Sequence, residues 1–178
     1  MLGPALRSWR ALHRVKQAHA AEILGVSQAQ VSRWESGTQR PNERQARALA
    51  ELLSARLSSA ADMRLARFVT EASTPIHLVC DISHKLLAYS KARAKEFRAP
   101  ASDIEGMSLW ASASEEIVGA ERRLGELGWY DAVAPVLEFE TDHHVTEVID
   151  IPRARFAWTR FRLSDGRHVR LVETLSAP

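Results

Sequence analysis

A single cysteine, Cys80, in 178 residues leaves no internal disulfide, and a reducing cytoplasm is the expected compartment. No apolar run approaches the 18 or more residues of a membrane span, so no membrane partner is expected. The first ten residues, "MLGPALRSWR", lack the apolar core of a secretory signal. Internal repeats and low-complexity tracts are also missing. What remains is ordinary globular material, 46% hydrophobic and 26% charged, enough for one ample core or two modest ones. The net charge of +2 hides an asymmetry. Residues 1–57 carry nine Lys and Arg against four Glu, a net +5, which leaves −3 for the other 121 residues. A basic first third on an acidic remainder suggests that only the first third meets a polyanion.

Up to about Leu57 apolar residues recur at three- and four-residue steps, as helices require. Leu6, Trp9 and Leu12 line one stripe behind Pro4, and Ala18, Ala21 and Leu24 line a second that Gly25 stops. Val26, Val31 and Trp34 follow, with Ser27 placed to cap a third helix. Beyond Gly37 and "RPN" (40–42), Ala46, Leu49, Ala50 and Leu53 form a fourth stripe. Four short helices predict a small all-α domain over residues 1–57. A helix pair joined by a tight Gly-containing turn is how a helix-turn-helix sets its second helix in the major groove of DNA. In "VSQAQVSRWESG" (26–37), positions 28, 29, 32 and 33 fall on one side of a helix, with Val31 and Trp34 on the other. Gln28 suits adenine, Ala29 a thymine methyl and Arg33 guanine, with Ser32 on the same side. The bland alternative is a solvated face on a small bundle. Against it stand the +5 charge, the glycine spacing, and amides and hydroxyls where Glu/Lys pairs would serve.

These residues carry a resemblance. "KQAHAAEILGVSQAQVSRWESG" (16–37) resembles the helix-turn-helix of the Cro/C1 repressor (XRE) family through Gln17, Ala21, Gly25 and Glu35-Ser36-Gly37, followed by Arg40-Pro41. The likeness covers residues 2–57. It implies that Gln17, at the start of helix two, binds a backbone phosphate, with Ser27, Gln30, Ser36, Thr38 and Arg40 as further phosphate contacts. It also implies a partly buried bridge between Arg10 and Glu35. Two positions depart from the pattern: Ala20 stands where a larger aliphatic residue is usual, and Trp34 where a smaller apolar one is common. An exchange of volume between neighbouring core positions would reconcile them.

From Ser54 to about Ala72 the helical signal continues through Leu57, Ala61, Leu65, Phe68 and Ala72, which predicts a connecting helix over 58–72. Its seam suits either a partner copy or packing within the chain. Past Thr74-Pro75 the pattern changes. "PIHLVCD" (75–81) and "KLLAY" (85–89) read as a hairpin, "SKARAKEF" (90–97) as a short helix, and "SASEEIVGAERRLGEL" (112–127) as a longer one. "VAPVLEFET" (133–141), "RARFAWTRFRL" (153–163) and "RHVRLVETL" (167–175) read as three strands, the last two joined by an "SDG" turn (164–166). In the second of these, Phe156, Trp158, Arg160 and Arg162 alternate with Ala157, Thr159, Phe161 and Leu163, so both faces are mixed. The order β-β-α-α-β-β-β resembles a PAS-like sensor domain, a likeness that spans about Leu65 to Leu175, with the domain itself expected over residues 73–178. Asp81, Leu86, Leu87, Tyr89, Ser90 and Ala92 carry the likeness, supported by "IEGMSLW" (104–110) and "SDGR" (164–167). The resemblance implies one antiparallel sheet over short helices, a pocket, and dimerisation through flanking helices. The fold class expected for the whole chain is α+β.

No cofactor is expected. The 112–127 helix offers no histidine for a haem, and Cys80 falls in a strand rather than in the helix a flavin photosensor would use. Tyr89, Phe97, Trp110, Trp129 and Trp158 could line a pocket, but aromatic residues so placed usually fill the core. "TDHHVTE" (141–147) holds Asp142, His143, His144 and Glu147, yet adjacent histidines on a strand point to opposite faces. It reads as a polar loop, with a metal-binding cupin-type barrel as the rival. His77 and His84 read as structural histidines. Ser90 and Lys91 are adjacent and point apart, so a self-cleaving repressor is not expected, nor any enzyme. The expected function is a sequence-specific regulator of transcription, a homodimer on double-stranded DNA with a small-molecule or protein ligand open to its second domain. The alternative is an antitoxin or adaptor whose second domain binds a partner protein.

Overall fold

The computed structural model describes residues 2–176, apart from the side chains of Leu12, Ala101, Ser102 and Ser176. The expected contribution of Leu12 to the first stripe therefore lies outside the described residues. The chain divides into two compact units, Met1–Ser54 and Ala55–Pro178, a boundary three residues before the one read from the sequence.

The first unit is helical: α1 (Leu2–His13), α2 (Gln17–Leu24), α3 (Gln28–Glu35) and α4 (Glu43–Leu53). Helix α2 stops because Gly25 takes a left-handed backbone, φ +63°, a conformation that costs glycine little. Helix α3 starts at a capping box in which the Ser27 hydroxyl accepts the Gln30 backbone N–H and the Gln30 side-chain Oε1 accepts the Ser27 N–H. Asn42 and Gln45 start α4 in the same way. Leu6, Ala20, Ala21, Val31, Trp34, Leu49 and Leu53 fill the core, so both departures in volume, Ala20 and Trp34, lie inside. Burial of one such Leu or Val side chain contributes about 1.5–3 kcal/mol. Helix α1 passes so close to α3 that a Cβ on Gly3 would stand 1.9 Å from the Trp34 carbonyl oxygen.

The second unit contains α5 (Ala60–Glu71), β1 (Ile76–Cys80), β2 (Leu86–Tyr89), α6 (Lys91–Ala94), α7 (Ala101–Ile104) and a 3-10 turn at Leu109–Ser112. It continues with α8 (Glu115–Arg123), β3 (Leu137–Thr141), β4 (His144–Val145), β5 (Asp150–Ile151), β6 (Ala154–Arg162) and β7 (His168–Ser176). Five strands make one antiparallel sheet in the order β2-β1-β7-β6-β3. One face packs Ala66 and Val69 of α5 over Leu78, Cys80, Ala88 and Val169. The other packs Leu86, Phe156, Trp158 and Val172 under Ile104, Leu124, Trp129 and Ile149. This open antiparallel sheet carrying short helices makes the unit α+β, one sheet over short helices as expected, and not a closed barrel.

Several boundaries differ from expectation. The connecting helix read over 58–72 begins only at Ala60, because Ser59 and Asp62 form a capping box. It packs on the sheet and belongs to the second unit. Its inward face is Asp62, Ala66 and Val69, while Ala61 and Phe68 of the expected seam face outward. The helix read over 112–127 spans Glu115–Arg123, started by the Ser114 hydroxyl accepting the Ile117 N–H. The strand read over 133–141 covers Leu137–Thr141 only. The expected polar loop at 141–147 supplies β4, which pairs with β5.

Candidate nucleic-acid interface

Helix α3 presents the arrangement its period predicts. Gln28, Ala29, Ser32 and Arg33 are exposed, and Val31 and Trp34 are buried on the opposite side. Arg33 folds its Nε–H onto the Ala29 carbonyl at 3.1 Å, which leaves the Nη groups of an exposed guanidinium to meet a base. The same fork suits the O6 and N7 acceptors of guanine. Around this face the side chains read as phosphate contacts have local tasks. The Gln30 carbonyl oxygen is taken by Ser27, so only its NH2 can reach a phosphate. The Ser36 and Thr38 hydroxyls donate to the Arg33 carbonyl at 3.2 and 3.3 Å and close the helix C-terminus. Arg40 is exposed.

Beneath that face lies the expected bridge. Arg10 donates Nε–H to Glu35 Oε1 at 2.6 Å and Nη2–H to Oε2 at 2.7 Å, with Nη1–H on the Val15 carbonyl at 2.8 Å. The side chains of Arg10 and Glu35 are only 15% and 5% exposed. Gln17, expected on a phosphate, gives its Nε2–H to Glu35 Oε2 at 3.0 Å, so the carboxylate is shared by helices α1 and α2. Burial pushes the Glu35 carboxyl up, but the hydrogen bonds from Arg10 and Gln17 and the Arg10 charge reverse this and hold it below the usual range. The hydrogen bond to Glu35 in turn raises Arg10.

Residues 6–58 match the family model described as Helix-turn-helix. That segment belongs to the helix-turn-helix family. Its turn is Gly25, its second helix is α3, and its outward face is the one described above. No curated protein matches the chain. Among solved structures the chain is similar to one described as an RNA-binding light-oxygen-voltage receptor, at 15% identity and a TM-score of 0.40. The alignment covers 98% of this chain and 58% of that one, less than two thirds of its length. No described helix is long and apolar enough to cross a membrane.

The second unit holds chemistry that the sequence did not reveal. Asp81, at the end of β1, is buried and accepts Arg170 Nη2–H at 2.8 Å, Arg160 Nε–H at 2.9 Å and Trp129 Nε1–H at 3.1 Å. Arg170 also donates Nη1–H to Glu121 at 2.6 Å and lies 4.3 Å from the Trp158 ring centroid. Burial raises the Glu121 carboxyl, but His84 and the Arg170 charge bring it down to about 2. Burial and the Arg160 charge bring His168 down to about 4. Beside this layer is a cavity of about 70 Å³ walled by Val79, Val172, Phe156 and Trp158 of the sheet and by Ile117, Ile149 and Ile151 opposite. Trp110 and Trp158 line it, whereas Trp129 is wholly buried on Asp81 and Tyr89 stacks edge-on against Phe97. The polar wall is His77, His84, Arg93, Ser112 and Arg170. The prior signs were Arg160 and Arg170, charged residues set among Phe156, Trp158, Val169 and Val172 in the last two strands. The 142–147 residues are not gathered: His143 pairs with Asp150 at 2.7 Å, and Asp142 lies by Arg153.

Proposed function

We propose that this protein is a cytoplasmic, non-catalytic transcription regulator. Its first unit reads double-stranded DNA through α3, and its PAS-like second unit serves dimerisation and sensing. The observation that carries this reading is the division of α3 into an exposed Gln28, Ala29, Ser32 and Arg33 face and a buried Val31 and Trp34 face, set in a helix-turn-helix domain. Arg33 and Gln28 are assigned base recognition. Gln17, Ser27, Gln30, Ser36, Thr38 and Arg40 are assigned the phosphates on either side, and the Arg10–Glu35 bridge fixes the pitch of α3. One such domain touches few base pairs, so two copies on a palindrome with half-sites about 10–10.5 bp apart supply the specificity. Met63 and Phe68, 57% and 64% exposed on α5, give a second copy an apolar surface to meet.

Selection of bound duplexes from a random pool tests the reading, and a palindrome is the expected product. On the selected site Arg33→Ala lowers affinity about 5- to 150-fold, the equivalent of one bidentate base contact, and changes random-duplex binding far less. Equal losses on both would make Arg33 a plain electrostatic contact. With roughly 6–10 phosphates engaged, affinity falls about 10³–10⁵-fold between 50 and 200 mM salt.

A further inference from the structure

The four titratable side chains of the cavity wall, His77, His84, Arg93 and Arg170, differ in how their charge is met. Arg170 has two carboxylates, Asp81 and Glu121, on its guanidinium. Arg93, 1% exposed, has one carboxylate, Glu96, on Nη1, while its Nη2 donates to the Pro75 carbonyl at 2.9 Å and to Thr174 Oγ1 at 2.8 Å. Its Nε–H is buried with no partner, and so is Nδ1 of His77. A guanidinium N–H is always a donor, and a buried donor left unmade costs about 1–3 kcal/mol. Burial pulls Arg93 below its ordinary range despite Glu96, and burial together with Arg93 holds His77 well below its own, so the imidazole is neutral. The cation of Arg93 is thus incompletely answered by the chain. Around it the wall is aliphatic and aromatic: Val172, Ile149, Ile151, Phe156 and Trp158.

We propose that this cavity binds a short aliphatic monocarboxylate of about three to five carbons, its carboxylate on Arg93 Nε–H and His77 and its alkyl chain against Val172, Ile149 and Trp158. Size sets the chain length: about 70 Å³ is roughly half of a cavity that takes up benzene. The carboxylate supplies the acceptor that Arg93 lacks, and its charge lets His77 Nδ1 serve as a second donor. Trp110, 38% exposed and stacked on His84 at 4.7 Å, is the wall residue nearest solvent and marks the way in.

The inference rests on reading the second unit as a sensor, and its test uses the full chain without DNA. Butyrate is titrated against butyramide, its neutral isostere, with thermal unfolding and the His77 imidazole resonances as readouts. Butyrate at ten times its Kd raises Tm by about 3–6 °C and shifts the His77 signals, while butyramide does neither. Arg93→Gln abolishes the response. Should that variant not fold, Ala113→Leu, which fills the cavity from its wall and leaves Arg93 in place, abolishes it instead. No response to butyrate at tens of millimolar, an equal response to butyramide, or an undiminished response in Ala113→Leu overturns the proposal. Any of these leaves DNA binding untouched, and failure to bind DNA leaves the butyrate result standing.

Discussion

Replacing Arg10 by methionine removes a cation while keeping most of its buried stem. The change deletes two hydrogen bonds to Glu35, of 2.6 and 2.7 Å, and the 2.8 Å bond to the Val15 carbonyl. It strands the Glu35 carboxylate, 5% exposed, with the Gln17 amide as its remaining partner. Breaking a buried pair from one side costs about 3–5 kcal/mol, and the surviving Gln17 bond places this case near the lower end. The two ends respond differently to a second substitution. Glu35→Leu on top of Arg10→Met removes the stranded charge and restores part of the loss, so the pair couples by up to about 3 kcal/mol in a double-mutant cycle. Hydrogen exchange of α1 and α3 amides in the full chain reads the first unit separately from the second. Because the folded-state Glu35 carboxyl lies below its ordinary value, its contribution is whole above about pH 4.5 and fades as pH falls through the lowered value. If Arg10→Met cost under about 1 kcal/mol, or if the double variant were the sum of the singles, the bridge would not be what holds α1 to the end of α3.

Other outcomes follow from single contacts. Gly3→Ala, which helix propensity alone would favour, is destabilising by about 1–3 kcal/mol because its Cβ meets the Trp34 carbonyl oxygen at 1.9 Å, and a raised Tm would refute that close approach. Asp81→Asn leaves Arg160 and Arg170 buried beside one carboxylate fewer and costs about 3–5 kcal/mol in the second unit, read as lost exchange protection in β1, β6 and β7. Acid weakens that unit in two stages. His168, at about 4 when folded, lets the unfolded chain gain a proton first as pH drops from about 6.5 to 4, and Glu121, at about 2, gives up its contribution between about pH 4.5 and 2. A Tm of the second unit that is flat from pH 7 to 4 would contradict the His168 assignment.

Helix α3 was legible because three independent signals agree on its phase: the Ser27 cap, the left-handed Gly25 and the Val31–Trp34 spacing. The phase of α5 was not legible, since Asp62 breaks the usual sorting of charge to the outside. Its carboxylate accepts the Ser58, Ser59 and Ser164 N–H groups and the Ser164 hydroxyl, which draws it under the sheet hairpin and turns Phe68 out. At 133–136 the apolar residues suggested a strand, yet Val133 is 89% exposed and Pro135 offers no N–H to a ladder. Strand β6 looked mixed on both faces because one face is divided along its length. Phe156 and Trp158 wall the cavity, and two residues further Arg160 enters the ionic layer around Asp81.

That division explains why two guanidiniums on one cavity differ in what they can do. Arg170 sits between the Trp129 and Trp158 rings and is held by Asp81 and Glu121, with both carboxylates in place before any ligand arrives. With a carboxylate on each of its three nitrogens, it acts as the fixed floor of the cavity, tying the end of β1 to β7 through Asp81 and to α8 through Glu121. Arg93, which lines the same cavity, is fixed too, by Pro75, Thr174 and Glu96, but its Nε is left with no partner. Pre-organisation of this kind lowers the cost of binding, because the donor is already desolvated and immobile before an acceptor reaches it. The receptive end of the cavity is therefore the Arg93 end, and a ligand that bound by displacing Glu121 from Arg170 would have to overcome an ion pair already complete.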